Sequence, residues 1–225
     1  MEEIRDPELI YHRYLQAAAK IMRDRQRNNC PYTYTSLADL ERAFRTGLSA
    51  LSETAELMGL NTANIDHFED VGLHTLRVVT ELSRFPEYAS LSPSACQLLN
   101  ISAYLHDIGK GPKSRWEANG GLQQVDAAHP EKALPMLERI LGTEIKEIDL
   151  YQIDLILRLV TYHDLPGLIL LGRRTINDAF RILRSPEEVD LLILLSRADA
   201  RSINPEWERA ADREKLRSTL RKHLF

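Results

Sequence analysis

Tyr104-Leu105-His106-Asp107-Ile108-Gly109-Lys110 begins as the apolar end of a helix, sets two metal-competent side chains next to each other, and breaks at Gly109 into a basic loop. A His-Asp pair alone carries little information, because a histidine near a helix end is more often solvated or capping. Its surroundings change that weight. His74 lies upstream on another helical stretch, and His129, His163 and Asp199 lie downstream, each at or near the end of an apolar helical pattern.

Working outward, the local patterns place each candidate. Ser92-Pro93 opens the helix that leads to His106, with Ser as N-cap and Pro in the first helical position, and Gly109 suits its C-terminal cap. Successive helical residues point about 100° apart, so His106 and Asp107 are placed to flank or bridge adjacent ions. His74 belongs to the pattern of Val71, Leu73, Leu76, Val78, Val79 and Leu82, where on its own it reads as a core histidine. His67, about two helical turns earlier, is assigned a structural or supporting place. His129 stands before Pro130 at the start of a helix carrying Ala133, Leu134, Met136, Leu137 and Ile140 and closed by Gly142. His163 closes the helix of Ile153, Ile156, Leu157 and Val160, and Asp164 beside it is either a hydrogen-bond acceptor or an N-cap. Ser185-Pro186-Glu187-Glu188 has the form of a capping box for a very apolar helix that ends at Asp199. An unpaired carboxylate after such a buried run is costly, so a metal competes with Arg197 and Arg201 as its partner.

Between Gly109 and Arg115 lies the densest basic loop of the chain. It is either a solvated turn or a place where Lys110, with Lys113 and Arg115, meets phosphate oxygens and stabilises transition-state charge. It is not a nucleotide-binding P-loop, since Gly-x-x-x-x-Gly-Lys-Ser/Thr is absent. Residues 116–127 are polar and irregular, as expected of a mobile loop at a pocket mouth. Arg173-Arg174 either contacts a substrate phosphate or marks an exposed helix start.

The ordered set His74, His106-Asp107, His129, His163, Asp199 resembles the HD superfamily of metal-dependent phosphohydrolases, whose two-metal motif reads H…HD…H…H…D. The resemblance spans about residues 67 to 204. It implies a helical bundle in which one ion takes His74, His106, Asp107 and Asp199 and the other takes Asp107, His129 and His163. Such a mixed nitrogen and oxygen set suits divalent transition metals, Fe or Mn first with Co, Ni or Zn as alternatives, better than Ca or Mg. Two ions roughly 3.5–4 Å apart can hold a hydroxide and clamp both oxygens of a phosphoryl displacement. The implied activity is hydrolysis of a phosphoester or phosphoanhydride in a nucleotide or related small phosphorylated substrate, with Asp107 and Lys110 as catalytic residues and Lys110, Lys113 and Arg115 on the substrate. The Gly-Tyr-Pro signature of cyclic-di-GMP phosphodiesterases is absent. Two alternatives are an HD-fold di-iron oxygenase, which uses the same six ligands, and a non-catalytic HD signalling module, for which missing ligands would be expected.

Composition is compatible with this. The 225 residues are 44% hydrophobic, enough for a core, and the net charge of −4 gives no general attraction to nucleic acid or anionic membranes. No apolar run approaches the roughly 20 residues of a membrane span, the acidic N-terminus lacks a secretory core, and two cysteines make no disulfide framework. A cytoplasmic protein is expected. With no sustained period-two alternation, the fold class is all-α. Pro7 opens one helix and Ser36 to about Met58 forms a second, giving an N-terminal helical hairpin over residues 1–62 before a metal-binding body over 63–225. That hairpin is read as a cap or a dimerisation surface, which leaves a homodimer open.

Overall fold

The computed structural model describes residues 6–27, 31–64 and 69–224. His67, given a structural or supporting place by the sequence, lies outside the described residues. The chain is mostly α-helical. In order, the helices are α1 (Pro7–Gln26), α2 (Leu37–Phe44), α3 (Ser52–Ala55), α4 (Val71–Leu82), α5 (Pro86–Ala89), α6 (Pro93–Leu105), α7 (His129–Lys132), α8 (Leu134–Arg139), α9 (Leu150–Tyr162), α10 (Leu165–Leu170), α11 (Ile176–Ile182), α12 (Pro186–Ile203) and α13 (Ala210–Leu224). None of these is long and apolar enough to cross a membrane.

Short polar residues start the helices that matter for the site. Asp70 accepts from the Leu73 amide at 2.8 Å to open α4, and Ser92 accepts from Ala95 at 3.1 Å to open α6. Asp149 and Gln152 form a reciprocal capping box at the head of α9. Each cap satisfies an amide that the helix itself leaves without a partner. Ser185 likewise caps α12 by accepting from the Glu188 amide, but the expected capping box is not closed. Glu188 turns inward instead and takes both guanidinium arms of Arg158 at 2.6 and 2.8 Å. That buried pair ties α9, which leads to His163, to α12, which carries Asp199.

Helix α6 runs through the centre, packed by α2, α4 and α9, with Leu99, Ile101, Ala103 and Leu105 fully buried. Truncating such a leucine to alanine costs roughly 2–5 kcal/mol, so the helix that delivers His106 is firmly seated. Helix α12 crosses α4 and packs on α13.

The N-terminal hairpin is not found. Helix α1 packs on α8, α9 and the turn 140–144, and its Tyr14, Ala17 and Ile21 belong to the same buried cluster as α6. The second expected helix stops at Phe44, because the chain turns through Gly47 at φ 140, a conformation closed to other residues. A short 3-10 turn at Leu48–Ala50 and then α3 follow. Two three-residue strands, Tyr34–Ser36 and Ile145–Glu147, pair in parallel with Tyr34 opposite Ile145. Gly142 does not close its helix, which continues as a π turn through Glu144 into the second strand.

Candidate metal centre

Six side chains from separated parts of the chain converge on one point. His74 projects from the first turn of α4. His106 is the C-cap directly after α6, still in helical conformation, and Asp107 leaves the helix at φ −104, ψ 6. His129 begins α7, His163 follows α9, and Asp199 lies within α12, which runs one turn past it to Ile203 instead of ending there. Gly109 does not act as a left-handed helix cap. Its role is space: a Cβ there would lie 1.9 Å from the His129 carbonyl oxygen and 2.7 Å from the Ala133 amide nitrogen.

The donors fall into three overlapping groups: His74, His106 and Asp107; Asp107, His129 and His163; and His163, Asp164 and Asp199. His74 Nε2 lies 3.4 Å from His106 Nε2, 3.1 Å from Asp199 Oδ1 and 3.5 Å from Asp107 Oδ2, while His106 Nε2 is 3.3 Å from Asp107 Oδ2. On the other side His129 Nε2 lies 3.2 Å from His163 Nε2 and 3.1 Å from Asp107 Oδ1. Donors held about 2.1 Å from a first-row ion stand roughly 3.0–3.4 Å apart along the edges of its coordination shell, so these spacings fit cations. Arg197 and Arg201, the rival partners for Asp199, are turned away onto Glu87, Glu81 and Glu208.

Hydrogen bonding fixes which imidazole nitrogens face inward. The Nδ1 atoms of His106, His129 and His163 donate to the carbonyls of Ala103, Asp126 and Val160 at 2.7, 2.8 and 2.8 Å. His74 Nδ1 donates at 3.0 Å to Ser202 Oγ, whose own proton goes to the Asp199 carbonyl at 2.7 Å. When neutral, all four imidazoles therefore present Nε2 lone pairs to one another and to carboxylate oxygens. Asp107 Oδ1 is buried and accepts no hydrogen bond from the described residues. Electron-rich atoms at this spacing repel unless positive charge lies among them, so the residues fit divalent metal. Second nitrogens anchored on backbone carbonyls are also what orients metal-binding histidines.

The electrostatics point the same way. Burial pushes the His106 imidazole down, but Asp107 and Asp199 outweigh it and raise it to about 9. Burial works to raise the Asp107 carboxyl, yet Lys110, His106 and His129 hold it well below the usual carboxylate range. His74 and His106 likewise depress Asp199 against its burial, while burial lowers His163. The site draws in positive charge, whether proton or metal ion.

The basic loop divides. Lys110 Nζ sits 2.6 Å from Asp107 Oδ2, and Asp107 raises the lysine against its burial. Lys110 also lines a cleft of about 300 Å³, together with His129, Asp164 and Arg173. Arg115 does not line that cleft. Its guanidinium bonds Asp126 and the Gly109 carbonyl and stacks over Trp116 at 4.5 Å. Since Asp126 supplies the carbonyl that orients His129, Arg115 holds the loop and, through it, the imidazole. Lys113 is exposed and also lies outside the cleft lining.

Ser202 and Asp126 were not singled out by the sequence. Ser202 follows Asp199 by three residues, a same-face spacing, and Asp126 precedes His129 by three; neither spacing is distinctive.

No family model, curated protein or solved structure matches the chain. Its overlapping His and Asp clusters are consistent with an HD-like metal-binding motif and support a metal-binding, potentially catalytic protein.

Proposed function

We propose that the protein is a metal-dependent phosphohydrolase of HD type that cleaves a phosphoester or phosphoanhydride in a nucleotide or related small phosphorylated substrate. The observation that carries this reading is the division of Asp107, with one carboxylate oxygen facing the His74 and His106 pair and the other facing His129. His74, His106, Asp199 and Asp107 Oδ2 would hold one divalent ion, Fe or Mn first, and His129, His163 and Asp107 Oδ1 a second. Such a pair supplies Lewis acidity and a water acidified by coordination.

The rest falls to the chain itself. Lys110 has three donors, of which Asp107 takes one, leaving donors for a phosphate oxygen in the cleft it lines. Its charge stands where negative charge develops in phosphoryl transfer. Arg173, which also lines the cleft, suits a second phosphate oxygen or an adjacent phosphate. At about 300 Å³ the cleft lies within the range of small-molecule sites, which suits a nucleotide or similar molecule.

The test is a screen of nucleotides and phosphoesters with the Mn- or Fe-loaded full chain, reading phosphate release. Hydrolysis that disappears in Asp107→Ala supports the reading. Oxygen consumption by the iron form with no phosphate release from any substrate would replace it with the di-iron oxygenase.

A further inference from the structure

We propose that Asp164 is a metal ligand of the His129 and His163 half, so that each half of the centre carries two imidazoles, one carboxylate of its own and a share of Asp107. This rests on the dinuclear reading above and extends it by one ligand.

Asp164 occupies the N-cap position of α10, but it does not cap. Its backbone is already helical at φ −75, ψ −20, and its side chain accepts no hydrogen bond from the first turn. Its oxygens instead face the metal donors, with Oδ2 3.8 Å from His129 Nε2 and Oδ1 3.5 Å from His163 Nε2. Among the described residues, these two imidazoles are the basic groups it meets within 4 Å. Both imidazoles spend their Nδ1 protons on backbone carbonyls, so their Nε2 atoms offer Asp164 lone pairs, which attract a carboxylate only through an intervening cation.

The opposite half also has a carboxylate beside its imidazole pair. There a single oxygen, Asp199 Oδ1, lies 3.1 Å from His74 Nε2 and 3.8 Å from His106 Nε2, whereas Asp164 turns one oxygen to each imidazole of its own pair. Without Asp164, the second half would have two imidazoles and one shared oxygen against three donors and a shared oxygen in the first. With it the halves match. They differ in access: the Asp164 side chain is 38% exposed and lines the cleft, whereas that of Asp199 is 18% exposed. The second ion is therefore the one that a cleft ligand meets first, and the one that a chelator removes first.

Mn(II) titrated into the chelator-stripped full chain, with free ion counted by electron paramagnetic resonance, tests the assignment without any substrate. The wild-type chain should bind two ions. Asp164→Asn, which keeps shape and removes charge, should retain the first ion and bind the second at least about tenfold more weakly, the minimum expected when even a supporting partner is lost. Asp164→Ser should behave alike, and Asp199→Asn should weaken the first ion instead. Because the Asp164 side chain caps nothing, the stripped variants should melt with the stripped wild type, which separates ligand loss from misfolding. Two ions bound by Asp164→Asn at wild-type affinity would overturn the assignment and leave the dinuclear reading intact. A wild-type chain that binds fewer than two ions would overturn the dinuclear reading and the assignment with it.

Discussion

Replacing Gly109 by alanine should damage the centre from a distance, through one backbone contact. The added Cβ would sit 1.9 Å from the His129 carbonyl oxygen, whereas carbon and oxygen ordinarily approach to about 3.3 Å. The two backbones must then part by roughly 1.4 Å. The Ala133 amide nitrogen, 2.7 Å away, blocks a sideways escape, so α7 has to move and takes His129 with it. Metal–ligand distances tolerate only about ±0.2 Å, and His129 stands 3.1 Å from the carboxylate oxygen with which it would share an ion. The Gly109→Ala chain should keep its first ion, lose or greatly weaken its second, and pay about 1–3 kcal/mol for overpacking. For a chain of this size that cost lowers the melting temperature by about 2–12 °C. Calorimetry of the stripped protein together with Mn(II) counting reads both effects. Gly142→Ala serves as control, since its Cβ would meet nothing closer than 3.9 Å. A Gly109→Ala protein that melts with the wild type and binds two ions would refute the reasoning.

Other outcomes follow from the same geometry. Lys110→Ala should leave ion content intact while lowering turnover, which steady-state kinetics on an identified substrate would show as a fall in kcat; an unchanged kcat would reduce Lys110 to a neutraliser of Asp107. Arg158→Met strands Glu188 in the core, where both side chains are at most 4% exposed, and should cost about 3–5 kcal/mol by denaturant unfolding with little change in ion count. In stripped protein, His106 is raised to about 9 from an unfolded value near 6.5, so it adds stability that is complete below about pH 6.5 and is lost as pH rises through 9. His163 is lowered by burial, so acid below about pH 6.5 protonates the unfolded chain first and removes stability. Melts of the stripped chain should therefore peak near pH 6.5, and metal, by displacing the His106 proton, should abolish the fall on the alkaline side.

Much of this was legible because helix ends announce themselves. Ser92-Pro93 and Ser185 open the helices that carry the chain to His106 and Asp199, so apolar spacing and punctuation together set those two side chains at or near the far ends of helices. The hairpin was misread for a physical reason: the apolar spacing of Leu37, Leu40, Phe44, Leu48 and Leu51 continues across Gly47, since the 3-10 turn after it still points inward. Three-residue strands are too short to show a period of two. Contacts between distant positions left no local trace. Gly109 looked like a cap, but its size is set by a carbonyl twenty residues on. Arg115 reads in the sequence as part of either a solvated turn or a phosphate contact, and its bonds to Asp126 and two glycine carbonyls have no signal there. Glu188 fitted a capping box until Arg158, thirty residues earlier in sequence, offered it a buried partner.

The central claim is that Asp107 joins two ions. A crystal of the Mn-loaded chain, measured with anomalous scattering at the Mn edge, tests it most directly. Two anomalous peaks about 3.5–4 Å apart, with one Asp107 oxygen on each, is the predicted result. One peak holding both Asp107 oxygens, or none beside Asp107, would contradict it.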